Sequence, residues 1–340
     1  MSNRQQLQEI PGALRMTLEK ARAEYGAVVR KVRWGDGPIY VCGEGDCSHL
    51  GMAASCAFEA FPGWPVVAKS VELLQMYTLH PLRRLRPRTV LMLISSAGEW
   101  PEGLELVHAA HKGDCIVVVL TNTPDSPLAK IADHVFFTRA EVDAASPAMS
   151  VCTYAALNFL AFEAARLLKR PEPQWKSMPE EFEQLPEKID WVFTQLPQVV
   201  RSMAAEMVRP PRLRIVGGGF NHYPAWQGAW RLRSLASPQV GAVEASEFLN
   251  EHAYFARRGE SVLLLSGSHS KIKKLVQRGA AQARTNGARV LCLTDGNDQE
   301  LVAASDLGIL VPSLSEMPAS ILTLFMLEWL AMEALHAAKP

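Results

Sequence analysis

The chain of 340 residues balances 35 Lys and Arg against 35 Asp and Glu, so no overall basic field marks it for nucleic acid or an anionic membrane surface. At 48% apolar and 21% charged it has a globular composition, with length for one large domain or two ordinary ones. No leader pattern, apolar run of spanning length or CxxC pair is evident, and the six cysteines lie mostly in apolar stretches, which predicts a cytoplasmic protein with reduced thiols and no membrane partner.

Gly12 to Trp34 reads as an amphipathic helix, with Pro11 suited to its first turn because a missing N–H is harmless there. Pro38 to Cys42 follows as a strand, then the loop Gly43-Glu44-Gly45-Asp46, and a helix from about Cys47 to Phe61. Pro65 to Ala68 is a short strand and Val71 to Tyr77 a helical turn or two. Thr89 to Ile94 is apolar throughout, as a strand buried on both faces must be. Helices at Pro101–His111 and Pro127–Ile131 alternate with strands at Cys115–Leu120 and His134–Phe137, before a long helix from Pro147 to Leu168. This alternation predicts an α/β fold with a parallel sheet covered on both faces.

The strand ending at Ile94 runs straight into Ser95-Ser96-Ala97-Gly98. In open α/β sheets a ligand sits at such a carboxyl end, where hydroxyls, backbone N–H groups and a helix N-terminus converge on an anion. The loop therefore reads as a holder of phosphate or carboxylate, or simply as a turn built from turn-forming residues.

Lys169 to Pro179 is polar and proline-rich and serves as the linker, dividing the chain into domains at 1–170 and 171–340. A helix from about Glu180 to Val208 comes next, and then the order of elements returns. Strands at Arg214–Val216, Ser261–Leu265, Arg289–Leu293 and Asp306–Val311 precede a closing helix at Met317–His336. Val41-Cys42-Gly43 answers Val216-Gly217-Gly218, Leu93-Ile94-Ser95 answers Leu264-Leu265-Ser266, and Ala132-Asp133 answers Ser305-Asp306. The offset stays at about 170 residues, the signature of a duplicated domain.

On these landmarks the chain resembles a tandem SIS (sugar isomerase) protein. It is similar to the isomerase half of glutamine–fructose-6-phosphate amidotransferases and to fructosamine-phosphate deglycases. The residues that carry the resemblance are Val41 to Gly43, Ile94 to Glu99, Glu141 to Ser146, Pro224 to Leu232 (PAWQGAWRL) and Ala245 to Phe248 (ASEF). The resemblance implies two SIS domains, each a five-stranded parallel sheet flanked by helices in an αβα sandwich. It further implies a phosphosugar or other carbohydrate derivative as ligand, and a homodimer. The substrate-binding positions it implies are Cys42, Gly43, Glu44, Ser95, Ser96, Gly98, Ser146, Arg231, Ser234 and Asn250.

The departures are as informative. The family's loop S-x-S-G-x-T keeps its first serine as Ser95, but Ala97 and Trp100 replace the second serine and the threonine. Two charge-assisted hydrogen bonds to a phosphate are thereby lost, at about 1.5–3 kcal/mol each. Glu44 and Asp46 stand where small hydroxyl residues are usual, and two carboxylates would repel a nearby phosphate. Glu44 could instead grip an amine or a sugar hydroxyl, or be a solvated loop residue. In the second half, Ser234 takes the place of the family's proton-moving glutamate, Asn250 that of its histidine, and Arg231 that of a lysine. Neither Ser234 nor Asn250 can act as a base near neutral pH.

Glu247 and His252 are the residues that could replace the missing pair, His252 being otherwise a surface polar residue. His222 and His269 lie at strand ends in the second half, each also readable as a turn residue. No metal-ligand spacing, GxGxxG or GxxxxGK[ST] is present, and enolisation beside a carbonyl needs neither metal nor organic cofactor, so none is expected. Two functions remain open: a sugar-phosphate isomerase or deglycase with a rearranged acid–base set, and a non-catalytic sensor of a carbohydrate derivative.

Overall fold

The computed structural model describes residues 3–32, 34, 37–78, 89–143, 146–169, 175–236 and 239–338. The chain divides into two compact units, Met1–Lys176 and Ser177–Pro340. Part of the expected linker, residues 170–174, lies outside the described residues, as do residues 144 and 145 within the Glu141 to Ser146 landmark.

In the first unit β1 (Ile39–Gly43), β2 (Val66–Ala68), β3 (Val90–Ile94), β4 (Ile116–Thr121) and β5 (His134–Phe137) form one parallel sheet in the order β2-β1-β3-β4-β5. Every residue of β3 is buried, as its unbroken apolar sequence requires. Strand order reverses between β1 and β3, whose paired ends are Gly43 and Ile94. That reversal opens a crevice at the carboxyl edge, where ligands of doubly wound sheets bind.

The second unit repeats the plan with β6 (Arg212–Gly217), β7 (Val240–Glu244), β8 (Glu260–Leu265), β9 (Arg289–Asp295) and β10 (Leu307–Val311) in the order β10-β9-β8-β6-β7. Read from the other edge this is the order of the first sheet. After β2 and after β7 the chain makes the same unusual step, a single helical turn followed by a π-turn, at Leu74–Thr78 and Phe248–His252. The match of strands, order and irregular turns makes the two units copies of one architecture.

Three expectations are corrected. The helix expected over Glu180 to Val208 is two, Met178–Gln195 and Pro197–Val208, interrupted at Leu196 (φ −109°, ψ 16°). Pro197 has no N–H to continue the ladder and disfavours helical geometry in the residue before it. β7 did not stand out as a strand in the sequence, because this edge element buries only Val240 and Val243 and includes Gly241. Two helices, Pro147–Leu167 and Glu316–Ala337, are long and apolar enough to cross a membrane, although no such run was expected. The apolar window of the first is wholly buried and that of the second is 83% buried, as in core helices.

The core follows from these faces. Leu91, Leu93, Val117 and Val119 of β3 and β4 pack with Leu106, Val107 and Trp100. In the second unit Val262, Leu264, Val290 and Cys292 pack with Phe248, Val276 and Ala280. Such layers hold the carboxyl-edge loops on rigid strands.

Candidate functional site

The loops at the carboxyl edge of the first sheet close on each other through Ser95. Its hydroxyl is fully buried, donates to Glu44 Oε2 at 2.5 Å and accepts from the Gly98 N–H at 3.0 Å. The backbone brings the pair together: Glu44 N donates to Ile94 O at 3.0 Å, and Ser95 N to Leu120 O at 3.1 Å. Gly98 takes a positive φ of 68°, and a Cβ there would lie 2.2 Å from Ser126 Oγ, so only glycine fits the turn. Ser96 O accepts from Asn122 N at 3.0 Å and from Thr121 Oγ1 at 3.2 Å, tying the serine loop to the end of β4. Asn122 in turn is fixed to Ala140, donating from Nδ2 to its carbonyl at 2.9 Å and accepting from its N–H at 2.8 Å.

The expected site residues thus fall into several places. Gly43, Glu44, Ser95, Ser96 and Gly98 meet at the crevice between β1 and β3. Gly43 is required by close approach, since a Cβ would lie 2.0 Å from Cys47 O. Ser96 Oγ lies 3.9 Å from the Cys47 thiol, a further link between the two loops. The side chain of Asp46 lies outside the described residues. Cys42 sits in the core beneath, and burial pushes its thiol up to about 12, so it stays protonated and inert. Trp100 is 6% exposed and lies against Gly103, filling core where the family has a threonine at the site. Ser146 is buried as the N-cap of the Pro147–Leu167 helix, its hydroxyl accepting from Ala148 N at 3.2 Å.

In the second unit Arg231 donates from Nε to Glu328 Oε2 at 2.7 Å, and Gln227 Nε2 donates to the other carboxylate oxygen at 3.2 Å. Glu328 is fully buried, so the Arg231 charge is taken up as its counter-ion inside the helical layer. Ser234 is exposed and donates to the Arg231 carbonyl at 2.9 Å. Asn250 is exposed on the π-turn after β7. His252 Nε2 lies 3.2 Å from Glu247 Oε1, so the residues expected to supply acid–base chemistry form a hydrogen-bonded pair. With Glu251 they bring three ligand atoms within 4.8 Å of one another, the arrangement among the described residues that could hold a metal ion.

The second unit also carries its own serine loop, Ser266 to Ser270, after β8. Asp295 Oδ2 accepts from Ser268 N at 2.7 Å, and Glu316 Oε1 accepts from Ser270 Oγ at 2.9 Å and from Lys271 N at 3.1 Å. Burial raises the Glu316 carboxyl above its ordinary range, partly offset by the hydrogen bonds from Ser270 and Lys271. Asp295 and Glu316 were missed in sequence, where neither belongs to a motif.

The strand registers shift the expected repeat by one residue: Gly43 pairs with Ile94, and Val216 with Leu264. Gly217, whose Cβ would lie 2.3 Å from Asn221 O, is the counterpart of Gly43, and Gly219 (φ 56°) that of Gly45 (φ 54°). Gly218 therefore stands in place of Glu44.

Two doubly wound parallel sheets, each with a serine-bearing loop at its carboxyl edge, define a duplicated α/β ligand-binding architecture. The SIS domain model matches residues 36–163 and 206–333, and the chain belongs to the SIS family. It is 22% identical over 330 residues to the glutamine–fructose-6-phosphate aminotransferase (isomerizing) of Thermococcus kodakarensis, covering 96% of this chain and 53% of that protein. The enzyme of the same name from Tropheryma whipplei is 26% identical over 326 residues, covering 89% and 50%. The chain spans about half the length of these curated relatives. Among solved structures, the C-terminal domain of glucosamine-fructose-6-phosphate aminotransferase from Francisella tularensis superposes with a TM-score of 0.85 at 16% identity, covering 99% of this chain and 96% of that one. Tagatose-6-phosphate ketose/aldose isomerase from Escherichia coli gives 0.76 at 17% identity, covering 98% and 92%.

Proposed function

We propose that the chain binds a sugar phosphate at the carboxyl ends of β1 and β3 and acts on it as an aldose–ketose isomerase or deglycase with a divergent active site. Family membership supports the ligand class, and the relatives' names state fructose 6-phosphate and tagatose 6-phosphate as theirs. The observation that carries the reading is the Ser95–Glu44 hydrogen bond inside the serine loop.

With Ser95 donated to Glu44, the phosphate is left to the Ser96 hydroxyl and backbone N–H groups of the loop, a weaker set than the family's. Glu44 offers its carboxylate to a sugar hydroxyl or, with charge assistance, to a protonated amine. The reading therefore favours amino-sugar or glycated-amine phosphates over plain hexose phosphates. Moving a proton between adjacent carbons needs a base at carbon and an acid–base partner at oxygen. The reading assigns these roles to Glu247 and His252, because Ser234 and Asn250 cannot fill them. It calls for no metal or organic cofactor. By family resemblance it includes a homodimer and a cytoplasmic location.

Thermal melting against hexose, hexosamine and fructosamine phosphates, each beside its unphosphorylated form, tests the ligand, since binding to the folded state alone raises the melting point. Deuterium uptake from heavy water into the stabilising sugar then tests turnover. A phosphorylated amino sugar that both stabilises the protein and takes up deuterium is the expected result. Stabilisation without exchange identifies a sensor instead, and no response to any phosphosugar removes the reading.

A further inference from the structure

The two units finish the same loop differently. Ser266 follows β8 as Ser95 follows β3, and its N–H donates to Leu293 O at 3.2 Å in the matching bond. With Gly218 in place of Glu44, no carboxylate arrives from the loop after β6. The Ser266 residue is 7% exposed, and its Oγ has no hydrogen-bond partner among the described residues. Asn221, on the turn after β6, is also 7% exposed, and its Oδ1 is likewise without a partner. Several buried oxygens of the described residues lack a partner, but these two also face one cavity, where a bound water or ion would satisfy both.

Both residues line the same cavity of about 20 Å³, with Ser270, Asp295, Glu316 and Thr323. Asp295 is 4% exposed, and neither carboxylate forms an ion pair among the described residues. No Lys or Arg lines the cavity. Two carboxylates against one imidazole, that of His269, leave the wall rich in oxygen acceptors and net negative, which disfavours a phosphate. Its volume takes one water-sized body, which excludes a sugar ring. A divalent ion such as magnesium would need several retained waters for which there is no space. A single water would meet the two orphaned oxygens but, being neutral, would leave the buried Asp295 and half-buried Glu316 carboxylates to the donors of Ser268, Asn297, Ser270 and Lys271 alone.

We infer that this cavity is a site for a water-sized monovalent cation, ammonium or potassium, held by Ser266 Oγ, Asn221 Oδ1 and the Glu316 carboxylate. The site is separate from the loop at Ser95 and does not depend on the sugar-phosphate reading. Ammonium would use its N–H groups as directional donors, and potassium would use the same oxygens as ligands.

The test melts the full chain in tetramethylammonium, ammonium and potassium chlorides at one ionic strength, for the wild type and Ser266→Ala. Tetramethylammonium is too large for the cavity and serves as the baseline. A saturable rise of about 3 °C at ten times the dissociation constant is expected in the wild type and not in the variant. Removing a hydroxyl that bonds nothing leaves Ser266→Ala folded, and its baseline melting point checks this. A rise in ammonium alone assigns a hydrogen-bonding cation; equal rises in ammonium and potassium assign a spherical one. Equal melting points in all three salts, or a rise that Ser266→Ala keeps in full, overturn the inference.

Discussion

Ser95 Oγ and Glu44 Oε2 are 2.5 Å apart, and the bond joins the two loops that border the crevice of the first sheet. The same hydroxyl accepts from Gly98 N, so both of its bonds serve the loop itself. A carboxylate thus occupies the hydroxyl that, on the proposed reading, would otherwise be offered to a phosphate. The specificity expected of the site follows from that exchange.

Replacing Glu44 by Gln keeps the shape and removes the charge. Affinity for a hexosamine phosphate should fall about tenfold, the scale of one charge-assisted hydrogen bond. A hexose phosphate should bind as well or more tightly, because a like charge near the phosphate has gone. Titration calorimetry with the two sugars reads the difference directly. Equal losses for both sugars would show that Glu44 only shapes the loop.

Glu247 and His252 lie 3.2 Å apart in the second unit, and the reading gives them the proton transfers. Glu247→Gln and His252→Gln should each lower deuterium exchange at least a hundredfold, the usual contribution of a general acid or base. Sugar-phosphate affinity should stay within a factor of three, about 0.6 kcal/mol. Both residues are partly or well exposed, so the fold should tolerate the changes. Exchange at the wild-type rate in both variants removes them from the chemistry.

The thiols give a check that is independent of substrate. Cys42 and Cys152 are buried with pKa values pushed to about 12, and Cys56 is the one cysteine of intermediate exposure. A disulfide reagent at pH 8 should therefore label one thiol per folded chain rapidly, at Cys56, and the remainder only on unfolding. Fast labelling of Cys42, mapped by mass spectrometry, would contradict the buried position given to it.

Arg231 is a structural counter-ion in this fold. Arg231→Met removes the ion-pair partner of the buried Glu328 carboxylate, to which Gln227 still donates, and should cost about 3 kcal/mol in urea unfolding. Adding Glu328→Met should recover most of that loss, since two apolar side chains replace two charges. A mild effect of the single change would mean that the arginine is free to serve a ligand.

Much of this architecture was legible in the sequence. The helix over Pro127–Ile131 has proline at its first position, and Ser126 caps it by accepting from Ala129 N, a local signal needing no tertiary context. β3 and β4 announce themselves as unbroken apolar runs because both faces are covered. β7 does not, since an edge strand with three half-buried positions lacks both the run and the alternation. The break at Leu196 was hidden because the apolar periodicity continues past Pro197. At the site, the serine loop was readable as a motif, whereas its contact with Glu44 joins residues 51 apart in sequence and exists only once β1 and β3 pair. Ser146 and Arg231, expected at the site from the family resemblance, take the positions of a helix cap and a buried counter-ion, roles that only the packed structure reveals.

The most direct measurement is a calorimetric titration of a hexosamine phosphate into the wild type and Ser95→Ala. Ser95 both holds Glu44 and supports Gly98, so the account predicts at least a tenfold loss of affinity, about 1.4 kcal/mol. Circular dichroism and melting of the variant confirm that it folds. Equal affinity in the two proteins would place the sugar phosphate elsewhere on the chain.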